Sequence, residues 1–298
     1  MRFFVARGED RALNALTRRG LRGSYVELSD GVTHYELTGP EDAPLVVMTG
    51  GLTVPLFYWD ALVSELHGRG FRTLTYSAYG RGYSDRVTCR YDEALFVRQL
   101  RELIDVIGGG HTHHLVGTSM GALVAMAYLD ASPTSPTATL TLAGPAGLSR
   151  LPLAQKLLLG NDFTSTVIAL TIGTRILNEH LGHNVRDAQR AADLTAMVSD
   201  AFHYEGSLYA FFSTLRNFGL TGRAELYRRT GDRQIPSMLV WGDHDDVTPI
   251  TAFDHVVKLL RPESAHIITD CGHMAPFESP AQVAAHLAAF TAIHTERL

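Results

Sequence analysis

The chain has 298 residues, 45% hydrophobic and 19% charged, the composition of a globular protein large enough to bury a substantial core. Its net charge of −5 forms no basic stripe, which argues against nucleic acid as the main partner. No run of 18 or more apolar residues is present to span a membrane, and charged residues interrupt the opening stretch where a secretory signal needs an apolar core.

The first twenty residues read as a short basic amphipathic helix, with Leu13 and Leu16 on one side and Arg18 and Arg19 closing it. "YVELSDGVTHYELTG" then reads as two strands joined at Asp30-Gly31. "PLVVMTG" (44–50) is a buried strand, and 57–70 a helix ended by glycine. A strand at 71–78 precedes a helix over 92–108, where apolar residues recur every three or four positions. "HHLVGTS" is a strand, 120–131 a helix and "ATLTLAGP" (138–145) a strand. From about Leu148 to Gln234 the periodicity is helical. Alternation resumes with a strand at 237–242, a helix over 250–262, a strand at 265–272 and a last helix from Pro280.

This alternation predicts an α/β fold, a mainly parallel sheet with right-handed crossovers and helices on both faces. Residues 1–147 and 235–298 form the expected core. Residues 148–234 form a helical insertion at the carboxyl ends of the strands, where such sheets bind ligands. It is placed to be a lid. Cys89 and Cys271 read as reduced thiols rather than a disulfide framework, so a cytoplasmic location is expected.

"GTSMG" sits where the strand 113–119 becomes a helix. Glycine at 117 and 121 lets a tight turn close and pushes Ser119 outward, at a helix N-terminus that favours developing negative charge. A serine nucleophile needs a base, and the base an orienting carboxylate. Candidates follow two late strands: Asp243, Asp245 and Asp246 in "GDHDDVTP", and His273 in "GHMAPFESP".

With these motifs and the loop "YGRGYSD", the chain resembles the α/β-hydrolase superfamily, in its lidded serine esterase and lipase branch, from about residue 24 to 296. The resemblance implies Asp245 as the acid of a Gly-x-x-Asp motif and His273 as the base. It also implies an oxyanion hole made by the N–H groups of Met120 and Gly51, with Leu52 as the fallback. Thr49-Gly50 stands where relatives carry His-Gly, and Ser77 where many have aspartate. Gly80 and Gly82 read as turn residues, Arg81 and Asp85 as structural or solvent-facing.

The expected activity is hydrolysis of a carboxylic ester, lactone or similar acyl bond of a small, largely apolar molecule, through an acyl-enzyme and without a cofactor. Alternatives are acyl transfer or cyclisation with the same triad, carbon–carbon bond hydrolysis, or a small-molecule receptor. Met274 stands where carbon–carbon hydrolases often have tryptophan, which disfavours that option.

"GGGHTHH" (108–114) invites a metal site, but it enters its strand at the end opposite Ser119 and lacks a placed carboxylate or cysteine. Cys271 reads as a small buried apolar residue. In the insertion, Phe163, Phe202, Tyr204, Tyr209, Phe211, Phe212 and Phe218 are expected mainly to hold the lid together. Phe211, Phe212 and Leu215 are candidates for a shared pocket face. The weakly charged stretch 163–173 favours an uncharged acyl group.

Overall fold

Runs of aliphatic and β-branched residues form strands where both faces are covered. In the computed structural model, which describes residues 2–148, 161–181 and 184–295, eight strands make one sheet. They are β1 (Ser24–Leu28), β2 (Gly31–Thr38), β3 (Leu45–Thr49), β4 (Arg72–Tyr76), β5 (His113–Thr118), β6 (Thr137–Ala143), β7 (Ser237–Gly242) and β8 (Ser264–Ile268). Their spatial order is β1-β2-β4-β3-β5-β6-β7-β8. The first two pairings are antiparallel and the rest parallel. β3, β5 and β7 are buried along their whole length.

After β3 the chain builds outward to β4 on one side and to β5 on the other. The ends of β3 and β5 therefore form the switch point at which open sheets leave a crevice. β1 and β2 close through Ser29 and Asp30, with Leu28 already paired to Gly31, one residue earlier than the Asp30-Gly31 reading.

The helices are α1 (Ala15–Arg18), α2 (Asp60–His67), α3 (Glu93–Val106), α4 (Met120–Ala131), α5 (Asp162–Leu181), α6 (Ala188–Ala201), α7 (Ser207–Asn217), α8 (Ala224–Asp232), α9 (Phe253–Leu260), α10 (Ala275–Glu278) and α11 (Pro280–Thr295). α3, α4, α8 and α9 pack side by side as one layer, while α2 packs with α11. In α3, Phe96 is buried with Leu100, Leu103 and Ile104, the spacing of a helix face. α4 is buried over ten successive residues from Met120 to Leu129.

The expected helix over residues 1–20 shrinks to α1. Residues before it form an extended arm in which Arg11 bridges to Tyr204. The cause is tertiary. The Glu9 carboxylate accepts the N–H groups of Gly206 and Leu208 at 2.9 and 2.6 Å, capping the start of α7. Arg11 also pairs with Asp200 at 2.6 Å. At Gly8 the backbone has φ of +97°, which interrupts a right-handed helix.

Between β6 and β7 the described residues form α5 to α8. Residues 149–160 and 182–183 of the expected insertion lie outside the described residues. α5 packs on α7 through Ala169, Gly173 and Leu177, and a Cβ on Gly173 would lie 3.1 Å from the Phe212 ring. Its other side exposes Phe163, Val167, Leu170 and Ile172 to solvent. The weakly charged stretch 163–173 thus turns apolar side chains outward, and it no longer argues for an apolar pocket. α8 packs against α4 and α9.

Candidate active site

At the β5–α4 junction Ser119 has φ of 53° and ψ of −119°. A non-glycine residue held there stores on the order of 1–3 kcal/mol. Three backbone bonds fix it: its N–H donates to Ala143 at 3.1 Å, and its carbonyl accepts from Ala122 and Ala146 at 3.2 Å. The flanking glycines meet backbone. A Cβ on Gly117 would lie 2.7 Å from the Ala122 Cα, and one on Gly121 only 2.2 Å from the Thr49 carbonyl oxygen. The first glycine lets α4 fold back on β5, and the second lets α4 touch the end of β3.

Across β6, the turn after β7 brings Asp245 to His273. The His273 Nδ1–H donates to Asp245 Oδ2 at 2.8 Å, and both residues are almost wholly buried. Asp245 Oδ1 accepts the N–H groups of Val247 and Thr248 at 2.9 and 2.8 Å, and the Thr248 hydroxyl donates to Oδ2 at 2.7 Å. With its proton on Nδ1, the neutral ring keeps a lone pair on Nε2. Asp243 instead accepts the Cys271 N–H at 3.1 Å, and Asp246 is exposed. The pair needs space at Gly144, where φ is +48° and a Cβ would sit 3.1 Å from Asp245 Oδ2.

The His273 loop is tied to the insertion. Its N–H and that of Met274 donate to the Asn184 carbonyl at 3.0 and 3.2 Å. Glu278 accepts from Gly272 at 3.0 Å and from Arg186 at 2.9 Å. Burial pushes its carboxyl up.

Gly51 follows β3 directly beside the serine: a Cβ there would be 3.4 Å from Ser119 Cβ and 3.9 Å from its Oγ. The Gly50 carbonyl faces Gly121, 2.5 Å from where that residue's Cβ would stand. A trans peptide points the Gly51 N–H the opposite way. Among the described residues, neither this N–H nor that of Met120 donates a loop or turn hydrogen bond. Both are available.

Several supporting residues escape a reading of the sequence. Thr248, three positions after Asp245, is flagged only by proximity, and Gly144 by being a glycine directly after a buried strand. Ser77 accepts the Leu56 N–H at 3.0 Å and contacts His34 Nδ1 at 3.1 Å. His34 Nε2–H donates to the Arg22 carbonyl at 2.8 Å, and burial holds the ring's pKa down to about 3, which favours its neutral form. Arg81 is fully buried, and Asp85 pairs with Arg18 at 2.5 Å.

In "GGGHTHH", β5 begins only at His113, so His111 is not on the strand with it. Both His113 ring nitrogens are engaged, by the His111 carbonyl and the Thr137 hydroxyl. Among the described residues no group of three or more His, Cys, Asp or Glu is arranged to hold a metal. Cys271 is buried and Cys89 exposed, and burial lifts the Cys271 thiol to about 12. Phe211 and Phe212 pack edge-on at 5.3 Å in the insertion's own interior, whereas Phe163 is exposed. No described helix is long and apolar enough to cross a membrane.

The model of the alpha/beta hydrolase family matches residues 46–286. A 2-hydroxy-6-oxononadienedioate/2-hydroxy-6-oxononatrienedioate hydrolase of Pseudomonas putida is 26% identical over 256 residues, covering 82% of this chain and 86% of its own. Monoacylglycerol lipase abhd6-B of Xenopus laevis is 25% identical over 250 residues, covering 81% and 73%. Among solved structures, a thermophilic esterase from Thermogutta terrifontis superposes with a TM-score of 0.76 at 18% identity, over 91% of this chain and 100% of that one.

Proposed function

Since the chain belongs to the alpha/beta hydrolase family and is an enzyme, we propose that it is a serine hydrolase of carboxylic esters, lactones or similar acyl bonds. The observation that carries this reading is the buried 2.8 Å pair of His273 and Asp245, on the sheet edge where Ser119 is held in its strained turn.

Ser119 Oγ attacks the acyl carbonyl while His273 Nε2 takes its proton, and Asp245 steadies the imidazolium. The tetrahedral oxygen receives the N–H groups of Met120 and Gly51. His273 then protonates the leaving alcohol, an acyl-Ser119 remains, and water deprotonated by His273 releases the acid. Leu52, Met120 and Met274, next in the chain to these residues, are buried and apolar, which supports an apolar acyl portion. We assign the cap to the insertion as far as α7, since α8 packs on the core layer. A cytoplasmic location remains our proposal.

A second reading is carbon–carbon bond hydrolysis with the same residues, favoured by the name of the Pseudomonas putida relative. The test is turnover of p-nitrophenyl esters of increasing acyl length by wild type, Ser119→Ala, Asp245→Asn and Asp243→Asn. Ser119→Ala is expected to lose about a millionfold in kcat and Asp245→Asn about ten-thousandfold, with Asp243→Asn near wild type. Absence of multiple turnover by folded wild type sinks the ester-hydrolase reading. Cleavage of a 2-hydroxy-6-oxodienoate in its place would establish the second reading, and tight binding without turnover a receptor.

A further inference from the structure

Among the described residues, every hydrogen-bond partner of the buried Arg81 guanidinium is neutral. Nε donates to the Leu52 carbonyl at 2.5 Å, Nη1 to that of Tyr79 at 3.4 Å and Nη2 to the Thr214 hydroxyl at 2.9 Å. Burial pulls its pKa down to about 10. A cation removed from water and met only by neutral acceptors is destabilising. Its presence is explained by what it holds.

The two ends of this side chain belong to different parts of the site. Leu52 directly follows Gly51 in the loop after β3, and Thr214 lies on α7 of the cap. The Thr214 hydroxyl spends its proton on the Ala210 carbonyl at 2.7 Å, so it meets Arg81 as an acceptor. The backbone under Arg81 is equally close to α7: at Gly80, with φ of +78°, a Cβ would lie 2.3 Å from that of Ala210. Arg81 spans from the oxyanion loop to the cap.

Two carbonyls anchor the loop that carries the Gly51 N–H. That of Gly50, in the same peptide unit, faces Gly121, and that of Leu52, two peptide units on, accepts from Arg81. Were the loop to turn a carbonyl oxygen toward Ser119, it would repel the negative charge forming there instead of stabilising it.

We propose that Arg81 is a positioning residue for the oxyanion hole: by holding the Leu52 carbonyl it fixes the loop that carries the Gly51 N–H against Ser119, and through Thr214 it couples the position of that loop to the seating of α7. The oxyanion hole is then complete only with the cap docked. This rests on the serine-hydrolase reading above.

The experiment compares wild type, Arg81→Met, Arg81→Lys and Thr214→Val in two assays: steady-state hydrolysis of p-nitrophenyl butyrate, and the rate of labelling by an alkyl fluorophosphonate. In the second, Ser119 Oγ gives its proton to His273 and forms a bond to phosphorus, fluoride leaves, and the phosphoryl oxygen occupies the oxyanion hole. Arg81→Met keeps the unbranched stem as far as the Nε position and removes the buried charge with its donors, and a flexible Met side chain adapts to the space left. Thermal unfolding checks this.

Arg81→Met is expected to lose about a hundredfold in kcat with KM unchanged, and to label more slowly by a similar factor. Arg81→Lys, a point donor unable to fork, recovers only part of the rate. Thr214→Val shows a smaller loss in both assays. A folded Arg81→Met with wild-type kcat, or one altered only in KM, overturns the proposal and leaves Arg81 a clamp on its own turn. Wild-type rates in Thr214→Val overturn the coupling to the cap. If wild type itself is not labelled on Ser119, the serine-hydrolase reading has failed instead.

Discussion

The turn at Ser119 and the cap helix α5 are both crowded, but by different atoms. Around the turn, backbone meets backbone. The position a Cβ would take on Gly121 lies 2.2 Å from the Thr49 oxygen, and on Gly117 2.7 Å from that of Gly121. Peptide groups held in a sheet cannot move aside. Against α5 the close neighbours are side-chain ends, such as the Phe212 ring 3.1 Å from a Cβ on Gly173, and these adjust at small cost. The core admits one local geometry, whereas the cap admits many sequences.

The most direct way to break this contrast is Gly121→Ala. One added methyl is expected to cost more than about 3 kcal/mol, beyond ordinary overpacking, and to abolish ester turnover. Urea unfolding with a wild-type midpoint would show that the turn has slack. In the cap, Phe212→Ala is expected to destabilise by about 3–4 kcal/mol, while Phe163→Ser, on the exposed side of α5, should stay within about 0.5 kcal/mol. Equal losses would mean that the exposed stripe is covered in solution.

A further effect appears in acid. His34 in the core is held neutral with a pKa of about 3, against 6.5 for a free imidazole. Between those values the unfolded chain takes up a proton that the folded one refuses. The His34 contribution is therefore complete above about pH 6.5 and is lost as pH falls toward 3. His34→Gln should flatten the stability curve in that window by about 1.4 kcal/mol per pH unit, measured by urea unfolding at pH 4 to 7. An unchanged slope would place the acid sensitivity elsewhere.

The same contrast explains how much is legible in the sequence. Hard backbone constraints leave traces at fixed spacings. Gly117 and Gly121 mark the turn, Gly242 precedes the proposed acid Asp245, and the apolar runs of β3, β5 and β7 announce the alternating architecture. Among Asp243, Asp245 and Asp246 it is the family resemblance that singles out Asp245, because three carboxylates within four residues differ otherwise only in which way the turn aims them. The arm before α1 reads as helix because its partners, Gly206 and Leu208, lie far away in sequence. Arg81 reads as structural or solvent-facing because an arginine in a glycine-rich turn gives no sign of whether it is buried. The orientation of α5 is hidden as well, since Phe163, Val167 and Leu170 have the spacing of a buried face.

The arm also bears on how the protein assembles during synthesis. Glu9 leaves the ribosome 197 residues ahead of the Gly206 amide it caps. At roughly 5–20 residues per second, about ten to forty seconds pass before that partner is made. Through that interval the sheet as far as β6 can form, but Phe3 and Phe4 have no Tyr209 ring to pack against. The arm is made well before the partner that seats it, and a chaperone that shields it has that whole interval in which to act.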